Sequence, residues 1–332
     1  MGLSAVEESA SELELDRYGN LREGFDARRF LRDILTAGLE AAAGPALFRE
    51  LGTVFVAVIL CAAVKTVFPS LGEGFDAVTL AGTAAVTLLL AGGQETLLLK
   101  TEGTLWKLQD TANVFLPVLS SAALLSGQVT GAAAKYASAA LFLNVLINLC
   151  CGFVLPVIRM YVAGAAAEAA VGGGVMRGVM GFLKWCVTTA LTGLMLAFSL
   201  FLSLTSLTVN SADAAVVRSA KTAISTLLPI VGSIAGDAAS SLLAAAGVIR
   251  QTVGGFGLLA VTALLLAPFL QAGLRCLLLK GLAAVAAELL EGGMGTLLKR
   301  LGEAMSMLAA SVGACGLMLF FSVYSLIGTV TP

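Results

Sequence analysis

Chemistry needs groups that titrate, attack or ligate, and here they are few. The 332 residues contain no histidine, which excludes imidazole acid–base catalysis, Ser-His-Asp triads and histidine metal sites. The carboxyl in the most telling place is Asp237. It closes the stretch Gly232-Ser233-Ile234-Ala235-Gly236-Asp237, and no other charge lies between Lys221 and Arg250. An ionisable group in such a stretch is expensive in a membrane and faces a cavity or a partner; Lys135 and Arg250 are candidate partners. The alternative is that Asp237 caps a broken helix by accepting backbone N–H bonds. Both readings stand on the sequence. On the first, Asp237, Gly236, Ser233 and Pro229, with their counterparts Pro117 and Ser121, are candidate pathway or hinge residues.

Gly236-Asp237 also matches part of the Gly-x-Gly-Asp pattern of intramembrane aspartyl proteases. Position 234 is Ile, and no second aspartate stands in another long apolar run, so the two-carboxylate mechanism has no partner. The six cysteines are Cys61, Cys150, Cys151, Cys186, Cys276 and Cys315. All lie in or beside apolar runs, none forms a CxxC, and buried unreactive thiols are expected. Glycines cluster at Gly172-Gly173-Gly174 with Gly178 and Gly181, and at Gly254-Gly255 with Gly257. They suit close helix approach in lipid rather than a phosphate loop, since no strand precedes them. No catalytic, cofactor-binding or metal-ligating residue is expected, and the chain is expected not to be an enzyme. A partner-contact patch is expected at Asp213, Arg218 and Lys221. Arg218 and Lys221 share a helix face by their spacing of three and would meet a protein or a lipid head group; a plain solvated stripe is the alternative.

The elements that position these residues are membrane helices. Hydrophobic residues make up 58% and charged residues 12% of the chain, with a mean hydropathy of +0.95. A soluble domain carries about 25% charged residues. Uncharged stretches cover 77–94, 111–134, 136–158, 185–212, 251–274 and 304–332. Each is at or near the roughly 20 residues that cross a hydrocarbon core as a helix. Strand-like alternation is absent, so the class is all-α: a polytopic helical bundle with about six to eight membrane segments and re-entrant hairpins as an option. Net charge is −1, which gives no basic field for nucleic acid. Residues 1–50 hold 6 basic and 10 acidic side chains. The start, Met1 to Glu14, lacks a basic-then-apolar signal pattern. Insertion is therefore expected to use the internal spans or to follow removal of a signal.

Four segments are expected. Residues 1–50 form a polar segment with an amphipathic helix, marked by Leu31, Ile34, Leu35, Gly38 and Leu39; it lies on the membrane surface or on the protein's own extramembrane face. Residues 51–112 hold two transmembrane helices and a polar loop containing Glu95, Lys100, Glu102, Lys107 and Asp110. Residues 113–210 and 211–332 form two repeat units. Leu116-Pro117-Val118 pairs with Leu228-Pro229-Ile230, Ser121 with Ser233, and Pro156 with Pro268. Glu168 pairs with Glu288, and Gly193-Leu194-Met195-Leu196 with Gly316-Leu317-Met318-Leu319. Asp237 interrupts the second Leu-Pro segment, which favours a re-entrant hairpin in each unit. Arg159, Arg177 and Lys184, like Arg275, Lys280, Lys299 and Arg300, would then mark cytoplasmic ends. This layout has six full spans.

The stretches Arg218-Ser219-Ala220-Lys221, Leu228-Pro229-Ile230-Val231-Gly232, Asp237-Ala238 and Thr252-Val253-Gly254 resemble the stage III sporulation protein AE family. The likeness runs from about residue 45 to the C-terminus and is most specific over about 210–275. It implies a multi-pass protein of an endospore-forming bacterium, in the mother-cell membrane around the forespore. The implied partners are other stage III membrane and ring proteins and their ATPase, in a channel joining mother cell and forespore. Membrane lipid and further copies of the chain are additional candidate partners, and nucleic acid is not one. No cofactor is implied. Three functions follow as alternatives: a conduit-forming or gating subunit, a non-conducting scaffold, and an independent secondary transporter.

Overall fold

The computed structural model describes the backbone over 27–67, 77–125, 129–171, 174–227, 232–290 and 293–327, and side chains over most of these except 204–253. Every element among the described residues is helical: α1 Ala27–Ala42, α2 Pro45–Val67, α3 Ala77–Leu125, α4 Val129–Leu149, α5 Leu155–Val171, α6 Gly174–Leu227, α7 Gly232–Leu289 and α8 Gly293–Ile327. A π-turn, Cys150–Val154, joins α4 to α5. It lies just before Pro156, whose missing N–H and bulky ring disturb the helical ladder at that level. Six of these helical stretches are long and apolar enough to cross a membrane. The chain is an all-α integral membrane bundle, as its uncharged runs require.

Contacts between helices fix their relative depth. Phe115 of α3 lies against Gly257 of α7. Leu265 and Phe269 of α7 lie against Gly316 and Gly313 of α8. Cys315 of α8 meets Cys150 at 3.8 Å, and Phe142 of α4 meets Phe198 of α6 with ring centroids 5.5 Å apart. Four uncharged stretches, 136–158, 185–203, 257–274 and 304–325, therefore run side by side. The last has 22 residues and rises about 33 Å, close to the roughly 30 Å hydrocarbon core. Large apolar side chains face outward along this slab, among them Leu141, Leu196, Leu200, Leu317 and Phe320. The interior is a continuous apolar core to which α2 through α8 contribute, with α7 and α8 the most extensive contact.

Three sequence expectations change. The polar loop before residue 112 is helix: α3 runs unbroken through Glu95–Asp110. Its buried positions Leu97, Leu98, Thr101, Leu105, Leu108, Ala112, Phe115, Leu116 and Leu119 recur every three or four residues, the period of one helix face. Second, Pro117 sits inside α3 rather than at the bend of a re-entrant hairpin. One proline removes one ladder bond, and α3 is held there by its buried neighbours. Third, α7 is helical through Asp237, its sixth residue, so the aspartate does not break the helix. α1 packs on α7 through Gly38, which lies against Leu266 and Leu270, while Leu35 and Leu39 of its apolar stripe are exposed.

An ion-pair belt and a charged stripe at membrane depth

Charged side chains gather at one edge of the uncharged slab. The densest group joins α5, α6 and α8. Arg300 grips the Glu168 carboxylate with two bonds, Nε to Oε2 at 2.8 Å and Nη2 to Oε1 at 3.1 Å. Its Nη1 donates to Tyr161 Oη at 3.2 Å and to Glu303 Oε2 at 3.3 Å. The Tyr161 hydroxyl donates to Glu303 Oε2 at 2.5 Å, and Lys184 Nζ lies 3.5 Å from Glu303 Oε1. Two carboxylates thus face one guanidinium and one ammonium, so the cluster is neutral. Glu168, Glu303 and Tyr161 are all buried. Buried charge is tolerated only with paired, well-aligned partners, and the forked guanidinium supplies that geometry for Glu168.

Two smaller pairs complete the belt. Arg275 of α7 donates to Glu50 of α2 at 2.6 Å. Gly93 of α3 lies against this pair, and a Cβ there would overlap the Glu50 carboxylate. Arg159 of α5 bridges two residues of α3, reaching Glu95 at 3.2 Å and Glu102 at 3.3 Å. Gln94 is buried, and its amide makes no hydrogen bond among the described residues. Gly293, first in α8, sits where a Cβ would strike the Ala169 carbonyl. A glycine is what lets the α7–α8 turn close onto α5.

The belt leaves a second feature on α3. Beyond Gly93, this helix enters the slab and reaches Phe115 opposite Gly257. Along that length it carries Glu95, Lys100, Glu102, Lys107 and Asp110, whereas the four stretches beside it carry no charge. Lys100, Lys107 and Asp110 are exposed, and their charged groups make no ion pair among the described residues. Thr96, Leu99, Gly103, Trp106, Asn113, Pro117 and Ser121 share the exposed face. Along the helix axis Lys107 lies about 21 Å from Gly93 and about 8 Å from Glu102, which meets Arg159 of the belt.

Of the residues singled out from sequence, Pro117 and Ser121 fall on this stripe. The Ser121 hydroxyl donates to the Val118 carbonyl at 2.8 Å. Pro229 lies outside the described residues. The backbone of Gly236, Asp237 and Ser233 is helical in α7, and that of Asp213, Arg218 and Lys221 is helical in α6, but their side chains lie outside the described set. Sequence reasoning missed the belt and the stripe. The belt has no sequence signal, since its partners are as far as 225 residues apart. The stripe had one, the three-to-four periodicity of the buried residues between Leu97 and Leu119. Among the described residues no group of three or more His, Cys, Asp or Glu side chains is placed to hold a metal ion.

No curated protein and no solved structure matches the chain. A family model described as stage III sporulation protein AE (spore_III_AE) matches residues 42–330. That range includes α2 through α8 and every residue of the belt and the stripe. The chain belongs to the stage III sporulation protein AE family.

Proposed function

We propose that this protein is a membrane subunit of the sporulation channel complex joining mother cell and forespore, and that α3 walls its conduit. The observation that carries the reading is the exposed charge on α3 at membrane depth. A charged side chain near the bilayer centre costs about 2.5–3.5 kcal/mol even on the lowest scales. Lys100 is near enough to the belt to snorkel; Lys107 lies between the belt and the level of Phe115, and Asp110 and Asn113 approach the side of the slab marked by Phe115 and Gly257. A helix with an apolar buried face and a charged outer face, set among lipid-compatible helices, belongs beside water. Along the slab α4, α6, α7 and α8 present leucine and phenylalanine outward, which sets the charged face of α3 apart from them as the wet side.

The belt gives this wall a fixed frame. The ring proteins and ATPase implied by the family resemblance would dock on the bundle, in the mother-cell membrane around the forespore. No step in this role needs a reacting group, so the role is non-enzymatic.

The test replaces charge while keeping shape. Lys107→Met and Asp110→Leu should abolish late forespore development, with the protein present at normal level in the membrane. Lys107→Arg should retain it. Normal development in both apolar variants would sink the conduit reading and leave the scaffold.

A further inference from the structure

The α7–α8 seam carries two clefts away from the stripe, the first touching the belt only at Glu303. The first has a volume of about 620 Å³ and is lined by Lys280, Ala283, Ala284 and Ala287 of α7 and by Thr296 and Lys299 of α8, with Glu303 at one end. Glu303 is already engaged by Tyr161, Arg300 and Lys184. Lys280 and Lys299 are exposed and make no ion pair among the described residues. One stands on each helix. The second cleft, about 340 Å³, is lined by Val261, Thr262, Leu265 and Phe269 of α7 and by Val312 and Leu317 of α8, among others. It is almost wholly apolar. The Thr262 hydroxyl is spent on the Leu258 carbonyl at 2.8 Å.

The clefts lie in line. Lys280 stands 18 residues after Thr262, and Lys299 stands 18 before Leu317. Eighteen residues make five turns at 3.6 per turn, so cationic and apolar linings share one face of both helices. Depth separates them. The apolar cleft is within the uncharged slab. Lys280 lies six residues beyond Leu274, and Lys299 five before Ala304, so they sit about 9 and 7 Å outside the slab. The headgroup layer occupies roughly 5–7 Å on each side of the core, and the lysine side chains are long enough to reach back into it.

We infer that this seam binds one anionic phospholipid, its phosphate between Lys280 and Lys299 and an acyl chain along the apolar cleft. Two ammonium groups at headgroup depth attract phosphate, and the apolar cleft, in line with them on the same faces of both helices, would take the distal part of the chain. A free phosphate would use only the lysines. A partner's helix would use the groove but would have to bring its own acid to the lysines.

The test is native mass spectrometry of the purified protein released from nanodiscs of defined composition. Phosphatidylglycerol should stay bound, and phosphatidylcholine of the same chains should not. Lys280→Gln with Lys299→Gln should weaken retention about tenfold or more, whereas Arg49→Gln, an exposed cation at the belt outside the seam, should not. Thr262→Phe, which fills the groove, should weaken retention with both lysines intact. Thermal unfolding in zwitterionic micelles checks that each variant is folded. Retention unchanged in the double lysine variant would overturn the proposal, as would equal retention of phosphatidylcholine. Displacement of the lipid by millimolar glycerol phosphate would reduce the seam to a phosphate site and overturn the acyl track. A helix of another protein retained there in place of lipid would overturn it as well.

Discussion

Arg300 makes four hydrogen bonds to three side chains, on α5 and on its own helix. Its removal would leave Glu168 buried without a counter-charge. Arg300→Ala is therefore expected to destabilise the bundle by about 3–5 kcal/mol, read as a lower unfolding temperature in detergent. Arg300→Lys should recover only part, because an ammonium cannot match the two Glu168 oxygens at once. Lys184 is more exposed, with a side chain 44% accessible, and Lys184→Ala should cost less than about 1 kcal/mol. Gly93→Ala tests the second pair. The new methyl would displace the Glu50 carboxylate from Arg275, and lower stability is expected. A further substitution Glu50→Ala should then add less than it does alone, because the two changes break the same contact. None of these residues stands out in sequence, where each is one charge beside an apolar run. Their roles come from which helices neighbour which, and a single sequence does not state that.

At the scale of elements, the bundle's class was legible and its breaks were not. Uncharged stretches of 18 residues or more marked the spans, because lipid imposes that length and composition directly. Asp237 and Pro117 looked like interruptions because each is unusual in an apolar helix. Yet one proline costs one backbone bond, and one aspartate is tolerated within a helix. The same physics predicts the behaviour of Pro117. Pro117→Ala should leave the stability of the purified protein unchanged or raised, since alanine restores the N–H and suits a helix better. A loss of fold would mean that the packing of α3 needs the local shape the proline imposes. The polar loop expected between residues 94 and 112 was a misreading of a different kind. Polar residues were counted, but the period of the apolar ones between them was not.

For the whole molecule, family membership and the bundle rest on observations that agree: the match over residues 42–330 and the six spans. The conduit rests on one asymmetry, a charged face on α3 beside uncharged stretches of its neighbours. If copies of the chain or its partners close around that face, water reaches Gly103 and Lys107; if lipid or dry protein covers it, water does not. The most direct measurement is thiol labelling in sporulating cells. The six native cysteines are replaced, and single cysteines are placed at Lys107, at Gly103 and, as a lipid-facing control, at Leu196. Each is probed with a membrane-impermeant reagent, with and without the other stage III proteins. Labelling of the first two positions in the assembled complex, with Leu196→Cys unlabelled, is the predicted result. Failure of both α3 positions to label, while a cysteine in an exposed connection labels normally, would contradict the conduit and leave the protein a scaffold.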